Sequence, residues 1–266
     1  MNITIQKPFS LSDIGKRFNN EDSIYPNNEI ESINERLFIV CDGVGGSNKG
    51  EIASSIACDA IQTYFHAFLD TEKAFDPQFI EKSIRYAEIR FDEYIQKNPS
   101  VGGMATTLCL LYIAPESIYL THAGDSRIYQ FRDGKIIFKT EDHSFVNSLI
   151  KSGIISPENA SMHPQKNIIL RAVQGSHSPV EIDIVKITDV LPNDDFFMCT
   201  DGVTEVWSDN DLCKLFSENI SSEEKINAIK ERCCNNAQDN YSACLIPIQE
   251  VNKMSVIKQI FLYAFM

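Results

Sequence analysis

Three aspartates stand where a sheet could aim them. Asp42 ends the apolar run 36–41 (R-L-F-I-V-C) and precedes Gly43-Val44-Gly45-Gly46. Asp201 follows the run 196–199 and precedes Gly202, and Asp239 comes just before a strand that begins near Ser242. A carboxylate at a strand end is held by rigid structure while the adjoining loop leaves room for a ligand. If these strand ends are neighbours, three carboxylates converge, an arrangement intolerable for bare anions and natural around Mg2+ or Mn2+. Singly, each signal is also an ordinary turn, because Asp-Gly is a common turn dipeptide. The glycines at 43–46 suggest a phosphate loop but lack the Lys-Ser/Thr ending of a P-loop.

The elements that must position these residues are short strands and a few helices. Runs at 36–41, 106–113, 118–122, 127–131, 136–138, 195–199 and 242–248 read as strands, bounded by turn residues and mostly linked as hairpins, which predicts antiparallel sheets. Gly124-Asp125 and Asp133-Gly134 make two of those turns. Helices are predicted over 51–69, with Ile52, Ile56, Ala60, Tyr64 and Phe68 on one face, and over 77–95, with Phe79, Ile80, Ile84, Ala87, Phe91 and Ile95. Two further helices are expected at 209–217 and 223–233, and residues 143–175 read as an irregular surface excursion. Helices set between hairpin groups argue an α+β fold with layered packing.

The chain has 266 residues, enough for one sizeable core. Its net charge of −13 makes nucleic acid a poor partner, and no apolar run spans a bilayer. The eight cysteines form no Cys-x-x-Cys pair, and Cys41, Cys109, Cys199 and Cys244 sit in apolar runs; with no secretion signal they read as reduced thiols in a cytoplasmic protein.

Taken in order, eight segments resemble the metal-dependent protein phosphatase family, the type 2C serine/threonine phosphatases, in the wording of its bacterial members. They are G-K-R-F-N-N-E-D-S (15–23), V-C-D-G-V-G-G-S-N-K-G-E-I-A-S (40–54), G-G-M-A-T-T-L (102–108), H-A-G-D-S-R-I-Y (122–129), D-H-S (142–144), H-P (163–164), C-T-D-G-V-T-E (199–205) and D-N-Y-S (239–242). The match covers roughly residues 10–249, so that residues 1–250 are expected to form the phosphatase domain and 251–266 a tail of unknown role. In that tail Ile257, Ile260, Phe261 and Phe265 fall on one helical stripe.

The resemblance implies a four-layer α-β-β-α sandwich of two antiparallel sheets flanked by helices, with the site at one end. It implies two Mn2+ or Mg2+ ions bridged by the water that attacks a phosphoserine or phosphothreonine ester. Asp42 would bridge the ions, the Gly43 carbonyl and Glu21 would serve one, and Asp201 and Asp239 the other; Asp125 with Asp201 would hold a third. Arg17 matches the family's phosphate-binding arginine, whose planar fork suits two oxygens; otherwise it reads as a surface partner of Glu21 or Asp22. Asp22 would orient water, and Thr106 and Thr107 would hydrogen-bond the metal-binding carboxylates. Ser126 and Arg127 would fix the turn presenting Asp125, and Trp207 would belong to the core.

One position departs from the family. Many members carry a histidine after the Asp-Gly, where this chain has Val44, which cannot protonate a leaving alkoxide. The resemblance then leaves a metal-bound water or another group to protonate it; His143 and His163 are the histidine candidates, with a structural reading favoured for both. The expected partners are phosphorylated proteins and a serine/threonine kinase whose action the enzyme opposes, with the enzyme a monomer. Two other readings stand beside this one: a binding module that kept the fold without catalysis, and a phosphatase restricted to one signalling phosphoprotein.

Overall fold

A strand covered on both faces has no polar side to show, and the continuous apolar runs are of this kind. In the computed structural model, which describes residues 2–27, 32–44, 49–71, 73–101, 103–160 and 162–252, side chains along each central strand alternate between two cores. The chain order is β1 (Asn2–Ile5), β2 (Phe9–Asp13), β3 (Asp22–Tyr25), β4 (Leu37–Val44), α1 (Lys49–Phe68), α2 (Gln78–Lys97), β5 (Ala105–Thr106), β6 (Leu108–Ala114), β7 (Ser117–Ala123), β8 (Arg127–Arg132) and β9 (Lys135–Lys139). There follow α3 (Phe145–Lys151), α4 (Pro157–Ala160), β10 (Val185–Ile187), β11 (Asp195–Cys199), α5 (Asp201–Thr204), α6 (Asp209–Ser217), α7 (Ser222–Asn236) and β12 (Tyr241–Asn252).

Two six-stranded antiparallel sheets result. One runs β1-β12-β11-β8-β9 with β2 also on β12, the other β10-β7-β6-β4-β3 with β5 also on β4. Between them Phe38, Val40, Cys109, Leu111, Ile128, Phe196, Met198, Cys244 and Ile246 form the central core. Their sequence neighbours face outward. Leu37, Ile39, Cys41, Leu108 and Leu110 meet α1 and α2, while Phe197, Cys199, Ala243 and Leu245 meet α6, α7 and Trp207. The α-β-β-α layering follows from that alternation.

Several details differ from the sequence reading. Pairing on β4 continues past Cys41 through Gly43 and Val44, because β5 supplies partners there. Asp42 is therefore inside a strand. The predicted strand 106–113 is split at Thr107, whose hydroxyl accepts from the Asp42 amide at 2.9 Å and takes a place in the ladder. The short strands β1, β2, β3 and β10 carry too little pattern to be read.

On α1 the buried face is Gly50, Ala53, Ser54, Ala57, Cys58, Ala60, Ile61 and Phe65, one position round from the expected stripe; Phe68 is exposed. Small residues let that helix lie close on β4, and Ile52, Ile56 and Tyr64 only flank the contact. The excursion 143–175 contains α3 and α4, is closed on itself by the bridge Ser144↔Ile169 and is tied to the body by the bridge Thr106↔Val173. Gly45, Gly46, Gly102 and the tail's apolar stripe lie outside the described residues.

Replacing Phe196→Ala removes a fully buried ring from between the sheets. It should cost about 3–5 kcal/mol in urea unfolding.

Candidate active site and metal centre

Strand register brings the acidic residues to one end of the sandwich. Cys199 on β11 pairs with Arg127 on β8 and with Ala243 on β12. Asp201 lies two residues beyond Cys199, Asp125 two before Arg127, and Asp239 two before β12 begins. All three leave their sheet at the same edge. In the other sheet Asp22 on β3 is the register partner of Asp42 on β4. The sheets meet where Thr200 Oγ1 donates to Asp22 Oδ2 at 3.0 Å.

The main chain of Asp42 is held by two threonines. Thr106 Oγ1 donates to its carbonyl oxygen at 2.9 Å, and the Thr107 hydroxyl accepts its amide and pairs with Ser126 Oγ at 2.8 Å. These hydroxyls were expected on the carboxylates; they grip the peptide instead and leave the Asp42 carboxyl free of them. Arg127 closes on Asp142 with two bonds of 2.7 Å, which fastens the start of the excursion to the turn carrying Asp125.

Gly43 and Gly50 let the start of α1 press against β4. A Cβ on Gly50 would lie 2.6 Å from the Gly43 carbonyl oxygen and 2.9 Å from Glu21 Oε2, so both oxygens face one small space that only glycine leaves open. The Gly43 amide also donates to the Glu21 carbonyl at 2.9 Å.

The buried side chain of Asn240 organises the loop bearing Arg17 and Glu21. Its Oδ1 accepts from the Glu21 amide at 2.9 Å, and its Nδ2 donates to the Ile14 and Asn19 carbonyls, each at 2.8 Å. Asn240 lies within the D-N-Y-S segment, where its spacing assigns it no role. A buried amide between strand and loop has no signature in spacing; only its polarity inside a buried segment could have marked it.

Burial and mutual repulsion set the electrostatics. Asp42 is pushed well above the ordinary carboxylate range by burial and then by Asp22, Asp201, Asp125 and Asp239. Asp22 rises to about 7 through burial, against hydrogen bonds from Ser242 and Thr200. Asp125 reaches about 7 through burial and then Asp201 and Asp142. Asp201 is raised by burial and then Asp239, though Asp42 hydrogen-bonds it, and Glu21 is raised chiefly by burial.

Among the described residues, Asp22 Oδ1, Asp125 Oδ1 and Asp201 Oδ1 are buried without a hydrogen-bond partner. Orphaned carboxylate oxygens at a shared end, beside the Gly43 carbonyl, are a hard-oxygen donor set suited to divalent cations. Among the described residues no three His, Cys, Asp or Glu side chains already surround one point. Asp239 is turned to Arg17, whose Nη2 donates to its Oδ2 at 2.5 Å. Arg17 thus has Asp239 as its partner, where sequence adjacency suggested Glu21 or Asp22. Its side chain is 57% exposed, open to an incoming anion.

The two candidate histidines have structural partners. His143 stacks on His122 at 4.3 Å between ring centres, and its amide donates to the Gly124 carbonyl at 2.8 Å. His163 Nδ1 accepts from the Gln165 amide at 3.1 Å. Burial, then the neighbouring His122 and Arg171, lower His143 to about 4. Trp207 is buried against α7, its ring 4.4 Å below the Arg232 guanidinium.

Two tests follow from this geometry. Asn240→Ala leaves the Ile14 and Asn19 carbonyls and the Glu21 amide unpartnered. It should lower stability by about 2–4 kcal/mol in denaturant unfolding. His143 in the folded chain resists a proton that the unfolded chain accepts below pH 6.5. Its contribution to stability is complete above that value and is lost as pH falls towards about 4. The drop in melting temperature between pH 7 and pH 5 should therefore be smaller in His143→Gln than in the wild type.

Residues 12–244 match the family model for protein phosphatase 2C. Protein phosphatase PhpP of Streptococcus pneumoniae is 32% identical over 246 residues, covering 90% of this chain and 96% of PhpP. The crystal structure of the Mycobacterium tuberculosis serine/threonine phosphatase PstP/Ppp superposes with a TM-score of 0.79 at 27% identity, covering 93% of this chain and all of that one. The catalytic domain of PstP in complex with two manganese ions gives 0.77 at 25% identity, covering 94% and 100%. The two-sheet sandwich, its acidic end and these likenesses agree, and the chain belongs to the protein phosphatase 2C family.

Proposed function

We propose that this chain is a protein serine/threonine phosphatase dependent on Mn2+ or Mg2+, hydrolysing phosphoserine and phosphothreonine with water as nucleophile. The observation that carries the reading is the set of buried, partnerless carboxylate oxygens of Asp22, Asp125 and Asp201 gathered with Asp42 and Asp239. The PstP catalytic domain with two manganese ions supports the choice of metal. Asp42, the Gly43 carbonyl, Glu21, Asp201 and Asp239 would hold the two ions, and Asp125 with Asp201 would hold a third. Bound there, the ions supply Lewis acidity towards water and towards the phosphoryl oxygens.

The chain's own residues do the rest. Arg17 keeps one N–H on Asp239 and turns others of its five donors to the phosphate, orienting it at the acidic end. Asp22, buried and held by Thr200, is placed to accept a hydrogen bond from water beside Asp42. The leaving alkoxide needs a proton. Val44 carries none, and His143 is held neutral against His122, so neither supplies it.

The partners are phosphorylated proteins and a serine/threonine kinase of opposing action, with the enzyme acting as a monomer. The working compartment is the cytoplasm, a reading supported by eight free thiols, and no helix among the described residues is long and apolar enough to cross a membrane.

Hydrolysis of a phosphothreonine peptide with and without Mn2+, beside Asp201→Asn, tests the reading. Turnover should require metal and fall by more than about a hundredfold in the variant, beyond the 10–100-fold typical of losing a ligand's supporting partner. Metal-independent turnover or a fully active variant would overturn it. A metal-loaded wild type without turnover would indicate a binding module.

A further inference from the structure

Phe18 is the most exposed large apolar side chain among the described residues, at 107% of the reference area. An isolated exposed apolar residue needs no explanation on a floppy loop. This one sits on a loop fixed at both sides. Before it, the Arg17 amide donates to the Ile14 carbonyl at 3.3 Å and the Arg17 guanidinium is held by Asp239. After it, the Asn19 carbonyl accepts from Asn240 at 2.8 Å and Asn19 Nδ2 donates to Glu51 at 2.7 Å. Gly15 at φ +58°, where a Cβ would meet the Asp239 carbonyl oxygen at 2.2 Å, locks the same loop against the acidic end. The ring is therefore held out in water by a rigid frame, next to the residue that faces the substrate's phosphate.

We propose that Phe18 is a specificity-determining residue, which packs against a bulky apolar side chain flanking the phosphoserine or phosphothreonine of the substrate. Consecutive Cα atoms stand about 3.8 Å apart, so a ring one residue from the phosphate-gripping arginine lies within reach of positions one to three residues from the phosphorylated one. A preordered aromatic ring gives contact area with little ordering cost on binding. The inference rests on the phosphatase reading above and adds which phosphoproteins it favours.

The test uses the full chain with Mn2+ and three substrates: p-nitrophenyl phosphate, a phosphothreonine peptide with leucines at the flanking positions, and the same peptide with serines there. The wild type should favour the leucine peptide by about tenfold in kcat/KM, the scale of burying part of one aromatic side chain. Phe18→Ala should abolish that preference through KM, leaving kcat and p-nitrophenyl phosphate hydrolysis unchanged, and Phe18→Leu should restore part of it. Equal turnover of both peptides by the wild type would overturn the proposal, as would a preference that survives Phe18→Ala. So would a loss shared by the small aryl phosphate, which would mean that Phe18 only supports Arg17, or a Phe18-dependent dimer without flank preference. Failure to hydrolyse p-nitrophenyl phosphate at all would instead strike the phosphatase reading itself.

Discussion

Too many carboxylates share too little water at one end of the sandwich, and much of the local structure answers that constraint. Asp42 is raised well above the carboxylate range, Asp201 is raised, and Asp22 and Asp125 reach about 7, because burial disfavours each charge and the neighbouring acids then add to the cost of ionising. Such repulsion would splay a flexible loop. Here the acids sit in or just beyond strands that are anchored between the sheets by the core of Phe38, Phe196 and Met198. The sheets supply the stiffness, and divalent cations are the natural relief of the strain in charge.

The supporting polar groups make sense as a means of fixing backbone while leaving carboxylate oxygens unspent. Thr106 and Thr107 take both hydrogen-bonding groups of the Asp42 peptide. Asn240 takes three backbone groups of the loop that bears Arg17 and Glu21. A hydroxyl on the Asp42 carboxylate itself would have satisfied an oxygen that a cation needs. Two groups do spend carboxylate oxygens: Thr200 donates to Asp22, and Arg17 puts one donor on Asp239 while the remainder of its fork stays exposed.

The sequence showed most of this fold where burial is two-sided or a turn dipeptide is explicit. The runs at 36–41, 106–113 and 195–199 are strands because both faces are covered, and α6 and α7 begin at Ser208 and Ser221, each with a complete capping box. It failed where contacts decide. The face of α1 is chosen by Gly50, Ala53 and Ala57 lying close to β4, and hydropathy ranks those small residues below Ile52 and Ile56. Strands β1 and β10 are four and three residues long, too short for a period to appear. The acidic centre was legible as strand-end aspartates, but convergence depends on the register Asp22↔Asp42 and Cys199↔Arg127, which no local pattern contains. The pairing of Arg17 with Asp239 joins residues 222 positions apart, and only the fold creates it.

A chain of net charge −13 that binds a phosphate dianion looks at first self-defeating. Screening resolves the conflict. At physiological ionic strength exposed charges more than about 8 Å apart are largely hidden from each other, so the distant acidic surface adds little repulsion at the site. What the phosphate would meet is local: the open Arg17 fork, and the cations that the buried acids would hold. The same excess of acid that repels nucleic acid elsewhere is, at this one end, the reservoir that concentrates positive ions. Burial makes the difference, because the unpartnered oxygens of Asp22, Asp125 and Asp201 cannot be satisfied by solvent and gain most from a cation. Acidic composition and affinity for an anion are thus compatible, provided that the acids which matter are out of the water and the ones in it are far away.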